Sequence, residues 1–178
     1  MEILRSVSLY AEAKQMAFMV IGGHAVNAYG IARQTGDLDL VVPLAERELW
    51  FGLMAKLRYV RGQDDERFAR FRPDSLASWP IDLMFVDDLT FAKLLKDSIV
   101  IEFGAAQARV VSPRHLATMK IHALKHYQAH RYAKDYSDLI SLLRQGKTGI
   151  SRDELSELCQ RYADLNLFAK LSNDLDRA

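Results

Sequence analysis

The chain has 178 residues, 49% of them hydrophobic and 26% charged, and its 24 basic and 23 acidic side chains leave a formal charge of +1. That profile suits a soluble globular chain with one sizeable core, or a core and a helical appendage, and it excludes a protein that coats nucleic acid through bulk positive charge. Cys159 is the single cysteine, which excludes an internal disulfide and a multi-cysteine zinc site, and without an apolar leader or long apolar span a cytoplasmic, non-membrane protein is expected.

Residues 3–17 read as a short helix. "FMVIGG" at 18–23 is a brief apolar run closed by glycines, as a buried strand would be, and "GHAVNAYGI" then reads as a short helix weakened at Gly30. "DLDLVVP" at 37–43 is a strand with one half-polar face, closed by Pro43. "AERELWFGLMAKL" at 45–57 is an amphipathic helix in which Leu49, Leu53 and Leu57 recur at helical spacing. "YVRGQDD", "ERFARFR" and "WPIDLMFVDD" read as successive strands, and "ARVVS" as another. Asp74, Asp87 and Asp88 are assigned to turns.

From Ser112 the period changes to helical. Ser112 with Pro113 starts one helix, a second runs from about Tyr132 to Leu143, and Ser151 with Glu154 forms a capping box for a last one. The expected fold is mixed α/β, a small mixed sheet with flanking helices over 1–111 and a C-terminal helical segment over 112–178. Between Ser112 and Lys147 there are seven Lys or Arg against two acids, together with His115, His122, His126 and His130, so an anionic partner would be sought there first, the alternative being a solvated helix. His122, His126 and His130 recur every four residues, which suits a polar helix face better than a metal ladder, since no carboxylate lies among them.

Side chains alternate along a strand, so Asp37 and Asp39 share a face while Leu38 and Leu40 turn to the core. Two neighbouring carboxylates share a proton or hold a cation, for which magnesium is a natural guest among hard oxygen donors, the alternative being a strand end that merely reaches solvent. Asp82, in the apolar run "PIDLMFV", would join them if its strand lies beside theirs, and three convergent carboxylates can hold two divalent ions. Gly22 and Gly23 end a strand and open a helix, where backbone amides can meet an anion, the alternative being a plain tight turn. The Gly-x-Gly-x-x-Gly and Walker patterns are both absent. An anion at one strand end and metal on the next strand suit a nucleoside triphosphate with magnesium.

The glycine pair, "RQTGDLDLVV" and the later "IDLMF" resemble the nucleotidyltransferase superfamily of the DNA-polymerase-beta type. The "R-x-T-x-D-L-D" form at Arg33, Thr35, Asp37 and Asp39 is similar to the small bacterial branch that includes abortive-infection toxins and the minimal nucleotidyltransferases. A looser likeness extends through "MKIHALKHYQAHRYAKDYSDL". The resemblance implies a nucleotidyltransferase-like catalytic core that transfers a nucleoside monophosphate from a nucleoside triphosphate, ATP among the candidates, to an RNA, protein or small-molecule acceptor. By the same resemblance Asp37 and Asp39 would coordinate two Mg2+ ions, Asp82 would complete the acceptor-side ion and assist deprotonation, and Gly22 and Gly23 would hold the triphosphate. A toxin-antitoxin setting, with a cognate antitoxin protein as partner, is part of what the branch implies.

Around this set, Lys120 is a candidate for a distal phosphate, the alternative being a solvated helix lysine. His24 could approach a phosphate or base, or be a hydrogen-bonded helix-start histidine. Arg33 could touch a phosphate or a core acid, and Thr35 could orient Asp37. Lys134 with Asp138 fits a pair along one helix, and Tyr127, Tyr132 and Tyr136 fit packing better than base stacking. The rival function is a catalytically inactive nucleotide-binding or regulatory module. A two-metal phosphohydrolase would want histidines beside the acids, and none lies near 37–39 or 82.

Overall fold

A computed structural model of the chain describes residues 2–75, 78–125 and 129–177. Two compact units are present, one formed by 1–28 and 32–111, the other by 29–31 and 112–178. The first holds α1 (Glu2–Ala13), β1 (Met19–Val20), α2 (Gly22–Ala28), β2 (Leu38–Pro43), α3 (Arg47–Lys56), β3 (Tyr59–Asp64), β4 (Phe68–Pro73), β5 (Ile81–Val86), α4 (Asp88–Lys96), β6 (Ile99–Phe103) and β7 (Ala106–Val110). The strands make one mixed sheet in the order β3-β4-β5-β2-β1-β7-β6, with β2 parallel to β5 and β1 parallel to β7.

The centre of the sheet is where the apolar runs are longest. Leu38, Leu40, Val41 and Val42 of β2 and Ile81, Leu83 and Phe85 of β5 are all buried, as expected for neighbouring strands covered on both sides. The register aligns Leu38 with Ile81 and Asp39 with Asp82, and Leu38 N–H donates to the Pro80 carbonyl at 2.9 Å where the two strands begin.

Three elements differ from the sequence expectation, each for a local reason. Helix α1 stops at Ala13 rather than 17, because Gln15 turns left-handed (φ 54°) and the Met16 amide bonds back to the Ala11 carbonyl at 2.8 Å. Helix α3 packs through Trp50, Leu53 and Met54, while Leu49 is 58% exposed. Leucines four apart drift round a helix, and the aromatic between them takes the inner face. Asp87 and Asp88 do not form a simple turn; Asp87 caps α4, accepting from the Thr90 amide at 2.9 Å and the Thr90 hydroxyl at 2.8 Å. The sequence reading did not separate α4 and β6.

The second unit consists of α5 (Pro113–Lys125), α6 (Ala129–Arg144), α7 (Arg152–Tyr162) and α8 (Leu165–Asp176), with the short 29–31 segment. Ser112 accepts from the His115 amide at 3.3 Å and Ser151 from the Glu154 amide at 3.2 Å, so both expected serine caps are made. Asp164 supplies an unforeseen cap for α8 through the Leu167 amide at 2.8 Å. Ala117, Ile121, Leu139, Leu155, Cys159 and Leu171 are fully or almost fully buried in the helical core. His126, Tyr127 and the side chain of His130 lie outside the described residues, so the histidine row is placed only at His122, whose ring meets Tyr162 edge-on at 6.2 Å. Among the described residues no helix is long and apolar enough to cross a membrane.

Candidate functional site

Strand alternation and register together assemble the acids. Asp39 and Asp82 are direct partners across the β2–β5 pair, and Asp37 lies two residues before Asp39 on the same face. Each carboxylate offers an oxygen within 4.8 Å of those of the other two. Asp37 and Asp39 are half-buried, whereas Asp82 is only 3% exposed. The donor set is entirely hard oxygen, and in spacing and chemistry these residues fit a divalent ion such as Mg2+.

The glycines belong to the same constellation, for a reason that sequence alone did not supply. The Ile21 amide donates to the Asp39 carbonyl at 3.0 Å, which brings the start of α2 against β2. Gly22 has φ 62°, and a Cβ there would fall on the Asp39 carboxylate. At Gly23 a Cβ would collide with the Arg33 guanidinium and come within 2.6 Å of the Thr35 hydroxyl. The pair therefore makes room for the protein's own site side chains.

Thr35 donates to Asp37 Oδ1 at 2.9 Å, the orienting contact that sequence suggested. Arg33 is held by its backbone: its amide donates to Asn27 Oδ1 at 2.8 Å, and the Asn27 side-chain amide donates to the Arg33 carbonyl at 2.9 Å. His24 is 6% exposed and stacks on Trp79, with centroids 4.9 Å apart and planes 18° off parallel. Burial pushes its imidazole below the ordinary 6.5, partly offset by Asp37. Its Nε2 has no hydrogen-bond partner among the described residues, so the expectation of a hydrogen-bonded helix-start histidine is unmet at that atom.

Lys120 belongs to the helical unit and is not a solvated lysine. It is 6% exposed, and its ammonium donates to Asp135 Oδ1 at 2.6 Å and Asp138 Oδ2 at 2.7 Å. Two buried aspartates account for this lysine without a phosphate. Asp138 is thus tied across helices to Lys120, a different partner from the Lys134 expected along its own helix. Tyr132 and Tyr136 stack on each other at 5.9 Å with the Lys170 ammonium over both rings, which is a packing role.

No family model and no curated protein matches the sequence. Solved structures do match. ANT(2'')-Ia in complex with adenylyl-2''-tobramycin superposes with a TM-score of 0.65 at 15% identity, covering 90% of this chain and 97% of that one. The fold is that of the nucleotidyltransferases. A nucleotidyltransferase-like antigenic protein from Paracoccidioides brasiliensis matches with a TM-score of 0.59 at 16% identity, over 96% of this chain and 91% of that one. The lincomycin-bound lincosamide antibiotic adenylyltransferase LnuA matches with a TM-score of 0.51 at 12% identity, over 77% of this chain and 92% of that one. At such identities the likeness to these nucleotidyltransferases is one of fold.

Within this nucleotidyltransferase fold, sequence reasoning missed Arg70, Asn27 and Trp79. Arg70 of β4 donates to both oxygens of Asp82, through Nε at 2.8 Å and Nη2 at 2.5 Å. A signal for it existed: alternation in "FARFR" sets Arg70 opposite Ala69 and Phe71, and an arginine on the polar face of a neighbouring strand is a candidate partner for a buried acid. Asn27 and Trp79 act through contacts that no spacing rule announces.

Proposed function

We propose that the chain is a metal-dependent nucleotidyltransferase that moves a nucleoside monophosphate from a nucleoside triphosphate, ATP first among the candidates, to a hydroxyl of a small molecule, releasing pyrophosphate. The observation that carries this reading is the three-carboxylate cluster on one face of two adjacent parallel strands. A small-molecule acceptor is supported by the near end-to-end match with ANT(2'')-Ia, whose complex holds an adenylylated tobramycin. The abortive-infection branch, a protein acceptor and an antitoxin partner rest on the Arg33-to-Asp39 pattern, and an RNA acceptor on that pattern and the basic 112–147 segment.

Asp37 and Asp39 would hold both ions and Asp82 the acceptor-side one. Bound Mg2+ would supply charge neutralisation on the phosphates and make the acceptor hydroxyl easier to deprotonate. The chain's own residues do the positioning. Thr35 fixes Asp37, and Gly22 leaves the space in which Asp39 points at the site. The backbone at Gly22 and Gly23 would face the triphosphate, with His24, Arg33 and Thr35 around it. In the reaction the acceptor oxygen forms a bond to the α-phosphorus while the bond from that phosphorus to the α–β bridging oxygen breaks. Pyrophosphate leaves, and the hydroxyl proton passes to solvent, since both Asp82 oxygens are already engaged by Arg70. Catalysis of this kind is positioning and charge stabilisation.

The test is incubation with α-labelled ATP and each other triphosphate, Mg2+, and separate fractions of small molecules, RNA and protein. Label is expected in the small-molecule fraction, abolished by EDTA and lowered at least about a hundredfold by Asp39→Asn. Label on RNA or protein would overturn the acceptor class. Metal-dependent nucleotide binding without transfer to any fraction would leave the inactive binding module as the function.

A further inference from the structure

Asp82 is a buried carboxylate near the start of an apolar strand, and such a charge needs a counter-charge. The antiparallel register of β4 and β5 puts Arg70 directly opposite it, and both oxygens of Asp82 accept from that one guanidinium. The same Nη2 lies 3.8 Å from Asp37 Oδ2, so the positive charge reaches across to the second acid of the cluster. A carboxylate has about four acceptor positions, and a bidentate arginine takes one on each oxygen. Asp82 is therefore held, aimed and neutralised while still offering coordination positions.

The charge count gives this geometry a consequence. The Arg70 guanidinium offsets one of the carboxylate charges, so the three acids can balance less cation charge than they could without it. A second divalent ion would add uncompensated charge beside Arg70, unless a polyphosphate brought its own negative charge. We propose that Arg70 is a built-in counter-ion and positioning residue. It presets Asp82 before any cation arrives and weakens divalent binding at Asp82 in the absence of nucleotide.

This rests on the metal-site part of the function proposed above, and its test uses no transfer reaction. Mn2+ is titrated without nucleotide into the full chain and its Arg70→Ala, Arg70→Gln and Arg70→Lys variants, with bound ion counted by electron paramagnetic resonance. Wild type is expected to hold one Mn2+. Arg70→Ala should hold a second, or bind at least about tenfold more tightly, because an opposing charge has left a partly buried site. Arg70→Lys, which keeps the charge and loses the fork, should stay at one ion. If Arg70→Ala fails to fold, Arg70→Gln, which removes the charge and keeps an amide donor, gives the same reading. Unchanged stoichiometry and affinity in the neutral variants would overturn the proposal, as would tightened binding in Arg70→Lys or no Mn2+ binding by any of the proteins. Failure of nucleotidyl transfer with this Mn2+ pattern intact would overturn only the function.

Discussion

Gly22 and Gly30 separate two reasons for a glycine. Both have positive φ, 62° and 88°, but a Cβ at 22 lands on the Asp39 carboxylate whereas one at 30 meets nothing within 4 Å. Alanine at either position should lower unfolding stability by about 1–2 kcal/mol from left-handed backbone strain, measured by denaturant titration. Only Gly22→Ala should also weaken Mn2+ binding, because it displaces a ligand. His24 gives a pH signature. Its folded-state pKa lies below the unfolded 6.5, so the unfolded chain binds more protons as pH falls through 6.5. Its contribution is therefore full above that pH and is lost on acidification; His24→Asn should flatten the stability-versus-pH curve there. Sequence placed Asp37 and Asp39 on one face because strand alternation is a local rule. It left Arg70 out because pairing with Asp82 depends on which strand lies beside β5.

The helical unit shows the difference between a helix pattern and a helix environment. Spacing put Lys120 on an amphipathic helix but did not reveal that α6 returns Asp135 and Asp138 to it, since those acids lie 15 and 18 residues further on. Lys120→Met leaves two buried carboxylates without their cation and should cost about 3–5 kcal/mol by denaturant titration, partly restored by adding Asp135→Asn and Asp138→Asn. In that restored protein, nucleotide affinity should equal that of wild type, as a lysine engaged by two aspartates requires; a large loss would return Lys120 to the phosphate. The serine caps at 112 and 151 were legible because capping is decided within four residues. Helix α4 escaped notice because its capping acid, Asp87, is also an ordinary turn residue.

Two hydrophobic cores serve the chain, one around the central strands and one among α5 to α8. Leu171 is fully buried in the helical core, and Leu171→Ala should cost about 2–5 kcal/mol of unfolding stability while leaving Mn2+ binding by the three aspartates unchanged where the protein remains folded. Tyr29–Ile31 belong to the helical unit although they sit early in the chain, an assignment no local pattern carries. The sequence by itself determined the alternation that aligns Asp37 with Asp39, the helix starts at Ser112 and Ser151, and the mixed α/β class, because these follow from neighbours a few residues apart. Only the tertiary structure decided that β5 lies parallel to β2 with Asp82 opposite Asp39, that Gly22 clears space for a carboxylate, and that Arg70 and Lys120 each serve buried acids. Those contacts join residues separated by 12 to 43 positions, and their partners are set by strand order and helix packing, which local periodicity does not encode.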